Sequence, residues 1–463
     1  MRTYVLDPNS KTPLYEQLYR ALKEDMLCGA IAGGEKLPSK RALAEHLSVS
    51  RITVENAYSQ LLAEGYLVSR PRSGYFAEKL EALPGGGPKS PAPAVEEQPQ
   101  PTPSAGCFPY SVWARLMRGV LLDRHDRLLQ PPPNTGLSDL RQAIAGMLLR
   151  SRGMETDPNC IVIGAGAEYL YNILIQLLGR DNVFGLEDPG HRKIRRVYAA
   201  NGLQVRSVAL DDSGVELDAL AASGATVLHI SPNHQFPTGI VTPIARRRQL
   251  MAWVGNGERW LVEDDYDSEF RFAGKVIPTM FSMDTTGRVI YLNTFSKTIT
   301  PALRISYMIL PPALMARYRT LLGFYSCTVP SIEQLTLARF LDEGYFEKHV
   351  SRMRRRYRLL RDQFLTLLRQ SPLARRMEVQ GHEAGLHFLL KLDTRASDET
   401  IERTLAGAGI RADSLAKYRQ DPAAGADRGR VVIQYSELEE ADLPRVIGLL
   451  EGLVGNEELR MKN

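Results

Sequence analysis

A proline- and glycine-rich segment breaks the chain into two parts of unequal length. Residues 84–106 read PGGGPKSPAPAVEEQPQPTPSAG and contain almost no apolar side chains. Such a segment cannot offset its conformational entropy by burial, and its prolines favour extended polyproline II geometry. We therefore predict a semi-rigid linker over residues 80–107, which separates a small head (residues 1–79) from a large body (residues 108–463).

The composition excludes several classes of protein. With 44% hydrophobic and 24% charged residues, the chain of 463 residues is typical of soluble globular proteins. Its apolar runs are all shorter than the roughly 18 residues of a membrane span, and its N-terminus turns polar at once, so neither a transmembrane helix nor a signal peptide is predicted. The four cysteines form no CxxC pair. We expect free thiols, a cytoplasmic location and no membrane partner.

The head contains three helix-like runs followed by a strand-like tail. Apolar residues recur at helical spacing in PLYEQLYRALKEDMLCG, LPSKRALAEHLSV and SRITVENAYSQLLAEGYL, and only SVS separates the last two runs. Two short helices on a tight turn make a helix-turn-helix, whose second helix enters the major groove of DNA. The tail YLVSRPRSGYFAE then predicts two short strands around Arg72-Ser73-Gly74, which would form a winged hairpin.

The predicted DNA contacts are basic and hydroxyl residues at helix starts and in the wing. They are Ser39, Lys40, Arg41, Ser50, Arg51, Thr53, Arg70 and Arg72. Amides and cations at a helix start favour phosphate, and the residues that open the third helix are expected to reach base edges. The head has 11 lysines and arginines against 9 acidic residues. Its charge alone therefore leaves a protein-docking module open, and the positions of these residues favour DNA.

The head resembles the winged helix-turn-helix of the GntR family of bacterial regulators. The agreement runs in order through Leu37-Pro38-Ser39, Val49-Ser50-Arg51, Glu64-Gly65-Tyr66 and Ser73-Gly74. The resemblance implies binding to double-stranded operator DNA. Pro71 departs from the family pattern, and we expect it to alter the shape of the wing more than its presence.

The body alternates strand-like and helical runs, for example CIVIGAG before AEYLYNILIQLLG and NVFGLEDPG before HRKIRRVYAANG. This pattern predicts an α/β body with a mostly parallel sheet covered by helices. We expect a large subdomain over about 135–320 and a small C-terminal subdomain over about 330–463. Three further strand-like runs, ATVLHISPNH, RWLVEDDY and RVIYLNTFSK, end in polar residues. Because ligands bind at the carboxyl ends of parallel strands, one site is predicted there.

Three motifs at these strand ends carry complementary chemistry. GAGAE (164–168) is a glycine turn that opens a helix, where amides can hold phosphate, although such turns also serve close packing. VEDDYD (262–267) places carboxylates and a tyrosine after a buried strand, and without a histidine at ligand spacing we predict no metal. TFSKTITPALR (294–304) offers hydroxyls, an arginine, and a lysine that can form a Schiff base with an aldehyde. Groups for an aldehyde, a phosphate, a ring nitrogen and a phenolic oxygen together describe pyridoxal 5′-phosphate (PLP).

The body resembles the fold-type I aminotransferases, and most of all the aminotransferase-like body of the MocR subfamily of GntR regulators. The resemblance rests on SPNHQFPTG, EDDYDSEFRF and TFSKTITPALR, and with the head and linker it covers essentially the whole chain. It implies that Lys297 holds PLP as an internal aldimine. It also implies that Asp264 pairs with the pyridine nitrogen and that Tyr266 bonds the phenolic oxygen.

The resemblance assigns further roles around the cofactor. The implied phosphate contacts are Arg304, Ser296, Thr294 and the amides near Gly166 and Ala167.

Two more residues match positions of the family. His191 falls where an aromatic residue stacks on the cofactor ring, and an ordinary surface histidine is the alternative. Arg430, in GRVVIQYS, matches the arginine that binds the carboxylate of a substrate or effector.

Several positions depart from the aminotransferase pattern. Phe236 replaces the asparagine before PTG, which removes a hydrogen bond to the cofactor that Asn233 or His234 could supply. Glu168 stands where a glutamine is common. Lys193 is either an effector contact or part of a solvated basic helix.

The predicted function is a PLP-dependent transcriptional regulator. Its body would sense PLP or an amino compound, and a homodimer would pass this signal to two DNA-binding heads. The alternative is a catalytically competent aminotransferase with an accessory DNA-binding head, because the lysine, aspartate, tyrosine and arginine of the enzymes are all present. Phe236, His191 and the complete head favour the regulator.

Overall fold

In the computed structural model the chain divides into two compact units, residues 1–98 and residues 99–463. The described residues are 2–79, 108–272, 274, 277–421 and 427–455. The linker predicted over residues 80–107 lies outside them, as does Cys107. The other three cysteines are free thiols, as expected. Among the described helices, none has the length and apolar character needed to span a membrane.

The described part of the head is a three-helix unit with a small antiparallel sheet. Its helices are α1 (Leu14–Leu27), α2 (Lys40–Leu47) and α3 (Arg51–Ala63), and its strands are β1 (Lys36–Leu37), β2 (Leu67–Arg70) and β3 (Gly74–Ala77). Apolar side chains at helical spacing, among them Leu18, Leu22, Val54 and Leu61, form its core. The periodicity of the sequence therefore places the three helices correctly.

Serine caps fix the starts of α2 and α3. The Oγ atoms of Ser39 and Ser50 accept hydrogen bonds from the backbone N–H groups of Ala42 (3.2 Å) and Thr53 (3.1 Å). The wing is a hairpin in which β2 and β3 pair antiparallel, and β1 adds a third strand that the sequence did not indicate. Arg72 lies in its turn with φ of 59°.

The body is built on an eight-stranded sheet, counted over the described residues. Its strands are β4 (Ile161–Gly164), β5 (Val183–Asp188), β6 (Gln204–Asp211), β7 (Gly214–Val215), β8 (Val227–Ile230), β9 (Trp260–Asp264), β10 (Val289–Thr294) and β11 (Ser306–Ile309). Their order is β4-β11-β10-β9-β8-β5-β6-β7. The five central strands from β10 to β6 are parallel, and β4, β7 and β11 are antiparallel to their neighbours.

Helices cover both faces of this sheet. The described helices of the body are α4 (Tyr110–Asp123), α5 (His125–Leu128), α6 (Ser138–Arg152), α7 (Ala167–Leu178), α8 (Arg192–Ala200), α9 (Leu217–Ser223), α10 (Ile244–Gly255), α11 (Met280–Met283), α12 (Pro312–Leu322), α13 (Ser331–Asp342), α14 (Tyr345–Gln370), α15 (Asp398–Gly407) and α16 (Leu443–Gly455). Successive residues of β10 belong to different cores, since Ile290 and Leu292 pack on one face and Tyr291 on the other. This two-sided burial explains why the strand reads as a continuous apolar run.

A second, four-stranded sheet forms the C-terminal part of the body. Its strands are β12 (Met377–Gln380), β13 (Phe388–Leu392), β14 (Ala412–Ser414) and β15 (Arg430–Ile433), and all pairs are antiparallel in the order β12-β13-β15-β14. One apolar core joins this sheet to α14, α15 and α16. The predicted fold class, a winged helix-turn-helix with an α/β body, is confirmed.

A fully buried arginine fixes the loop that follows β8. Arg247, on α10, has no exposed surface, and its guanidinium donates hydrogen bonds to the carbonyls of Pro232 (2.8 Å), Thr242 (2.8 Å) and Pro278 (3.0 Å). It also donates to Oδ1 of Asn233 (2.9 Å). Because every buried carbonyl needs a donor, this one side chain sets the path of the loop.

Replacing Arg247 with methionine would leave these buried acceptors without a donor, at about 1–3 kcal/mol for each unsatisfied group. We expect Arg247→Met to lower the free energy of unfolding of the body by about 3–5 kcal/mol, measured by urea denaturation followed by circular dichroism. Arg248→Met changes an exposed arginine next to it and should stay within about 0.5 kcal/mol. Equal midpoints for the two variants would contradict this role of Arg247.

Candidate functional site

A cavity of about 500 Å³ lies at the carboxyl ends of the parallel strands. Its lining includes one residue from the loop after each of four strands: His191 after β5, Phe236 after β8, Tyr266 after β9 and Lys297 after β10. The loops before β14 and after β15 supply other lining residues. The fold therefore gathers positions that are far apart in the sequence around one space.

Lys297 presents an unpartnered amino group to this cavity. Its neighbours Phe295 and Thr298 are buried, whereas Lys297 is exposed. The backbone beside it is fixed, because the carbonyl of Thr298 lies 2.8 Å from Nε2 of the buried His349. Lys297 Nζ makes no hydrogen bond or ion pair with any residue that the structure describes. A free amine on a rigid turn is suited to react with a carbonyl compound.

Asp264, at the end of β9, is a buried carboxylate held by two neighbours. Its Oδ2 accepts a hydrogen bond from the Tyr171 hydroxyl (2.7 Å) and lies 3.4 Å from Nε2 of His229. His229 is fixed in turn by the Tyr198 hydroxyl, 2.8 Å from its Nδ1. Burial and Asp264 raise the pKa of Tyr171 well above its ordinary value, so this phenol stays a donor. No lysine or arginine among the described residues forms an ion pair with Asp264.

Tyr266 is attached to a cluster of buried polar side chains. Its hydroxyl lies 3.2 Å from the carbonyl oxygen and 3.3 Å from Nδ1 of His234. The same Nδ1 lies 2.9 Å from Oδ2 of Asp267, and the rings of His234 and His387 are 4.5 Å apart. Burial, then the charges of Asp267 and Asp264, raise the pKa of Tyr266 well above its ordinary value. Tyr266 therefore remains a protonated phenol facing the cavity.

The histidines near Asp267 were not evident from sequence spacing. His234, Asp267 and His387 are buried, and one potential ligand atom of each lies within 4.8 Å of the others. Arg152 and Arg354 line a small adjoining cavity together with His234 and Asp267. His234 and Asp267 are hydrogen-bonded to each other, so the group forms a buried polar cluster beside Tyr266.

Arg304 lies against the glycine turn that opens α7. Gly166 has φ of 92°, and a Cβ at this position would collide with the Arg304 guanidinium, so only glycine fits. Nη2 of Arg304 donates to Oε2 of Glu168 (2.6 Å), and Lys193 pairs with the other oxygen of that carboxylate. Burial alone would raise the pKa of Glu168, but the hydrogen bonds from Lys193 and Arg304 lower it to about 2. Two cations thus meet beside the glycine turn, in which the Gly166 N–H donates to the carbonyl of Gly164 (2.9 Å) and Ala167 begins α7.

Three hydroxyl side chains in the same segment as Arg304 form a hydrogen-bonded cluster. The Thr294 hydroxyl donates to Oγ of Ser296 (3.0 Å), and the Ser306 hydroxyl donates to Oγ1 of Thr294 (2.9 Å). Thr294 is therefore engaged with its neighbours, while Ser296 keeps hydrogen-bonding capacity for a ligand.

Aromatic rings form another wall of the cavity. The ring of Phe236 lies 5.2 Å from that of His191, 4.9 Å from that of His387 and 5.1 Å from that of Tyr418. Asn233 is directed away, since its amide nitrogen donates to Asp265 (2.6 Å) and its oxygen accepts from the buried arginine of α10. Of the two residues considered as substitutes for the missing asparagine, His234 contacts Tyr266 and Asn233 does not.

In the head, the predicted DNA contacts differ in their freedom to bind. Lys40 Nζ is 2.7 Å from Glu55, and Arg41, although 83% exposed, lies 2.9 Å from Glu45. The Arg70 guanidinium covers the ring of Phe76 at 4.7 Å.

The remaining predicted DNA contacts of the head fall into two groups. Ser39, Ser50 and Thr53 take part in helix caps. Arg51 and Arg72 are exposed and make no hydrogen bond or ion pair with the described part of the chain.

Comparison with known proteins places the chain in a family. Residues 14–76 match the model of bacterial regulatory proteins of the gntR family. The chain is 37% identical over 449 residues to the uncharacterized HTH-type transcriptional regulator YdeL of Bacillus subtilis, covering 92% of this chain and 95% of YdeL. It is 30% identical over 462 residues to the probable rhizopine catabolism regulatory protein MocR of Rhizobium meliloti, covering 94% of each. The chain belongs to the MocR subfamily of GntR-family transcriptional regulators.

The body of this regulator has an aminotransferase-like fold. A crystal structure of an archaeal alanine:glyoxylate aminotransferase matches with a TM-score of 0.69 at 22% identity, covering 77% of this chain and 90% of that one. The α-aminoadipate aminotransferase LysN from Thermus thermophilus matches with a TM-score of 0.65 at 23% identity, covering 77% and 91%. At these identities the likeness shows the fold of the regulator's body.

The structure does not bring Arg430 to the cavity. Arg430 begins β15, pairs in register with Lys391, and lies 3.6 Å from Asp427. The cavity is lined instead by Gln434 and Ser436, which follow the strand. Gln434 lies four positions after Arg430, which corresponds to about 13 Å along an extended strand. Arg411 is the arginine that lines the cavity from this part of the regulator, and the role of Arg430 in holding an effector carboxylate stays a prediction.

Sequence reasoning also missed residues that the fold adds to the site. Tyr171 and His229, which hold Asp264, lie on α7 and β8, and both read as core positions in the sequence. In the head, Ile52 is 67% exposed at the start of α3, next to Arg51. With α3 in a major groove, an exposed apolar residue here would suit the methyl group of thymine.

We expect Arg51→Ala to weaken operator binding by about 1–3 kcal/mol, because Arg51 opens α3 with a free guanidinium. Fluorescence anisotropy with the full-length regulator and an operator fragment selected from genomic DNA measures this change. Arg20→Ala removes an exposed arginine of α1 that pairs with Glu16 and should leave the affinity nearly unchanged. Equal affinities of Arg51→Ala and wild type would contradict this assignment.

Proposed function

We propose that the regulator binds PLP through an imine bond to Lys297, and that PLP, or an amino compound that reacts with it, changes operator binding. The observation that carries this proposal is the unpartnered amino group of Lys297 in a cavity shared with Tyr266. Among the described residues, this lysine pairs with no carboxylate, so its amino group is available to a ligand.

The residues present fit each chemical part of PLP. Lys297 would take the aldehyde carbon, and the buried Asp264 would pair with a protonated pyridine nitrogen. Tyr266, kept protonated by its surroundings, would donate to the phenolic oxygen. Arg304 uses one of its five N–H donors on Glu168, so the others remain for the phosphate. When bound, PLP supplies an electrophilic carbon that can exchange one amine for another.

The chain's own side chains would hold the ring in a defined protonation state. Tyr171 and His229 fix the position of Asp264, and a carboxylate in a low-dielectric site strongly favours a proton on a facing nitrogen. The solved structure of LysN is a complex with N-(5′-phosphopyridoxyl)-L-leucine. A pyridoxyl compound bound on the same fold supports the proposal for the regulator.

We propose further that the regulator acts as a homodimer in the cytoplasm. Helix-turn-helix dimers bind two half-sites with a fixed spacing, so a change in the relative position of two heads alters operator affinity. The coupling would be reciprocal: a ligand that shifts DNA binding is itself bound more or less tightly in the presence of the operator.

An aminotransferase with an accessory head is the second candidate, and the presence of Lys297, Asp264 and Tyr266 favours it. The position of Arg430 outside the cavity, together with Phe236 in place of asparagine, favours sensing. Repeated turnovers with an amino donor and a keto acid, at ordinary enzyme rates, would decide for the enzyme.

We expect the purified full-length regulator to show the absorbance band of a protein-bound imine when PLP is added, and Lys297→Ala to lack it. Borohydride reduces an imine to a stable amine, so the mass of the pyridoxyl group should appear on the peptide that contains Lys297. Lys391→Ala, at an exposed lysine of β13, is the control and should retain the band. A wild-type protein that takes up no PLP, or a label on another lysine, would contradict the proposal.

A further inference from the structure

We infer that the effector read in the Lys297 cavity is an amino compound that carries an additional negatively charged group, such as a side-chain carboxylate or phosphate. The proposed cationic wall consists of Arg192, Arg196 and Arg411. This inference rests on the proposed function, because the amino group of the effector would meet PLP at Lys297.

The first observation is a pair of unpartnered arginines on α8. Arg192 and Arg196 both line the cavity, and they are separated by one helical turn, so their side chains extend from the same face. Neither forms a hydrogen bond or an ion pair with any described residue, and both are exposed. Two like charges at this spacing destabilise a helix unless an anion lies between them.

A third arginine faces the same space from another element. Arg411 precedes β14 and lines the cavity together with Gln434. Its acidic neighbour is Glu437, with an oxygen 3.5 Å from Nη1 of the arginine. This contact is long and engages one nitrogen of the guanidinium. Arg411 therefore keeps donors for a ligand.

The acidic residues of the cavity do not neutralise these arginines. Asp267 lies 2.9 Å from Nδ1 of His234. Asp413 accepts hydrogen bonds from Lys417 (3.1 Å) and the Tyr418 hydroxyl (3.0 Å). Both carboxylates are thus committed to other partners, and the wall formed by α8 and the loop before β14 remains positive.

The other lining residues have different roles. Lys193, on α8, is already paired with Glu168, which also binds Arg304. The rings of Phe236 and Tyr418, 5.1 Å apart, offer apolar surface for the carbon chain of a ligand. The cavity thus combines an amine-reactive position, an apolar wall and a group of cations. This combination fits an acidic amino compound better than a neutral one, because guanidinium groups bind carboxylate and phosphate with two parallel hydrogen bonds.

Matched ligand pairs test the inference. The full-length regulator loaded with PLP is titrated with L-glutamate and L-glutamine, L-aspartate and L-asparagine, and O-phospho-L-serine and L-serine, while the absorbance band is followed. The members of the glutamate and aspartate pairs have nearly the same size and differ in the charge of the side chain, whereas phosphoserine differs from serine in both the charge and the size of its phosphate. We expect the acidic member of at least one pair to reach half-saturation at a concentration about tenfold lower or less. The pair that responds distinguishes carboxylate from phosphate.

Variants assign the preference to the cationic wall. We expect Arg192→Gln combined with Arg196→Gln to reduce the difference within the responding pair to below about twofold, and Arg411→Gln to reduce it in part. Arg248→Gln, at an exposed arginine of α10 outside the cavity, should retain the full difference. The band of bound PLP, measured before each titration, shows that every variant is folded and loaded.

The possible failures are distinguishable. Absence of a PLP band in wild type would overturn the proposed function itself. A band that responds equally to both members of all three pairs would overturn the inference while leaving PLP binding intact. A preference for acidic ligands that persists unchanged in the Arg192→Gln, Arg196→Gln variant would overturn the assignment to α8.

Discussion

The parallel alignment of β5, β8, β9 and β10 creates the site of this regulator. Parallel strands end at the same edge of a sheet, so the residues that follow each strand become neighbours however far apart they are in the chain. His191, Phe236, Tyr266 and Lys297 share one cavity for this reason. Without this alignment, Lys297 would be an ordinary surface residue, because the motifs of its own segment do not supply the other residues of the cavity.

A buried polar network keeps these strand ends in place. Asp265, next to the residue that ends β9, accepts from the guanidinium of Arg152 (2.6 Å), from the amide of Asn233 (2.6 Å) and from the Tyr291 hydroxyl (2.6 Å). Burying such a network is favourable only when each member is satisfied, and loss of one member leaves the others unpaired. The rigidity of the site therefore comes from the polar layer beneath it, and the cavity residues are free to serve a ligand.

The parts of the structure that the sequence predicted are those set by local chemistry. Apolar residues at helical spacing marked the helices of the head, and the apolar runs marked the strands whose ends carry Lys297 and Tyr266. Contacts between distant elements were not predictable. The position of Arg430 outside the cavity lining is an example, because a strand motif does not reveal which end of the strand faces the cavity.

The hydrogen bonds that hold Asp264 could not be predicted from the sequence for a related reason. The tyrosine and the histidine that hold Asp264 lie on α7 and β8, where the sequence shows only apolar runs with an occasional polar residue. Nothing in their spacing indicates that they meet the end of β9. The local charge of HRKIRR also did not indicate a binding site, because such a run is typical of a solvated helix. In the fold, Arg192 and Arg196 line the cavity.

We propose above all that a ligand reacting at Lys297 changes the binding of the regulator to DNA. The most direct test measures the affinity and the footprint of the full-length regulator on its operator with and without PLP, for wild type and for Lys297→Ala. The account predicts a change of about fivefold or more in wild-type affinity, or a shifted footprint, that is absent in the variant. The same affinity and the same footprint with PLP, and with PLP plus each acidic amino compound, would contradict it.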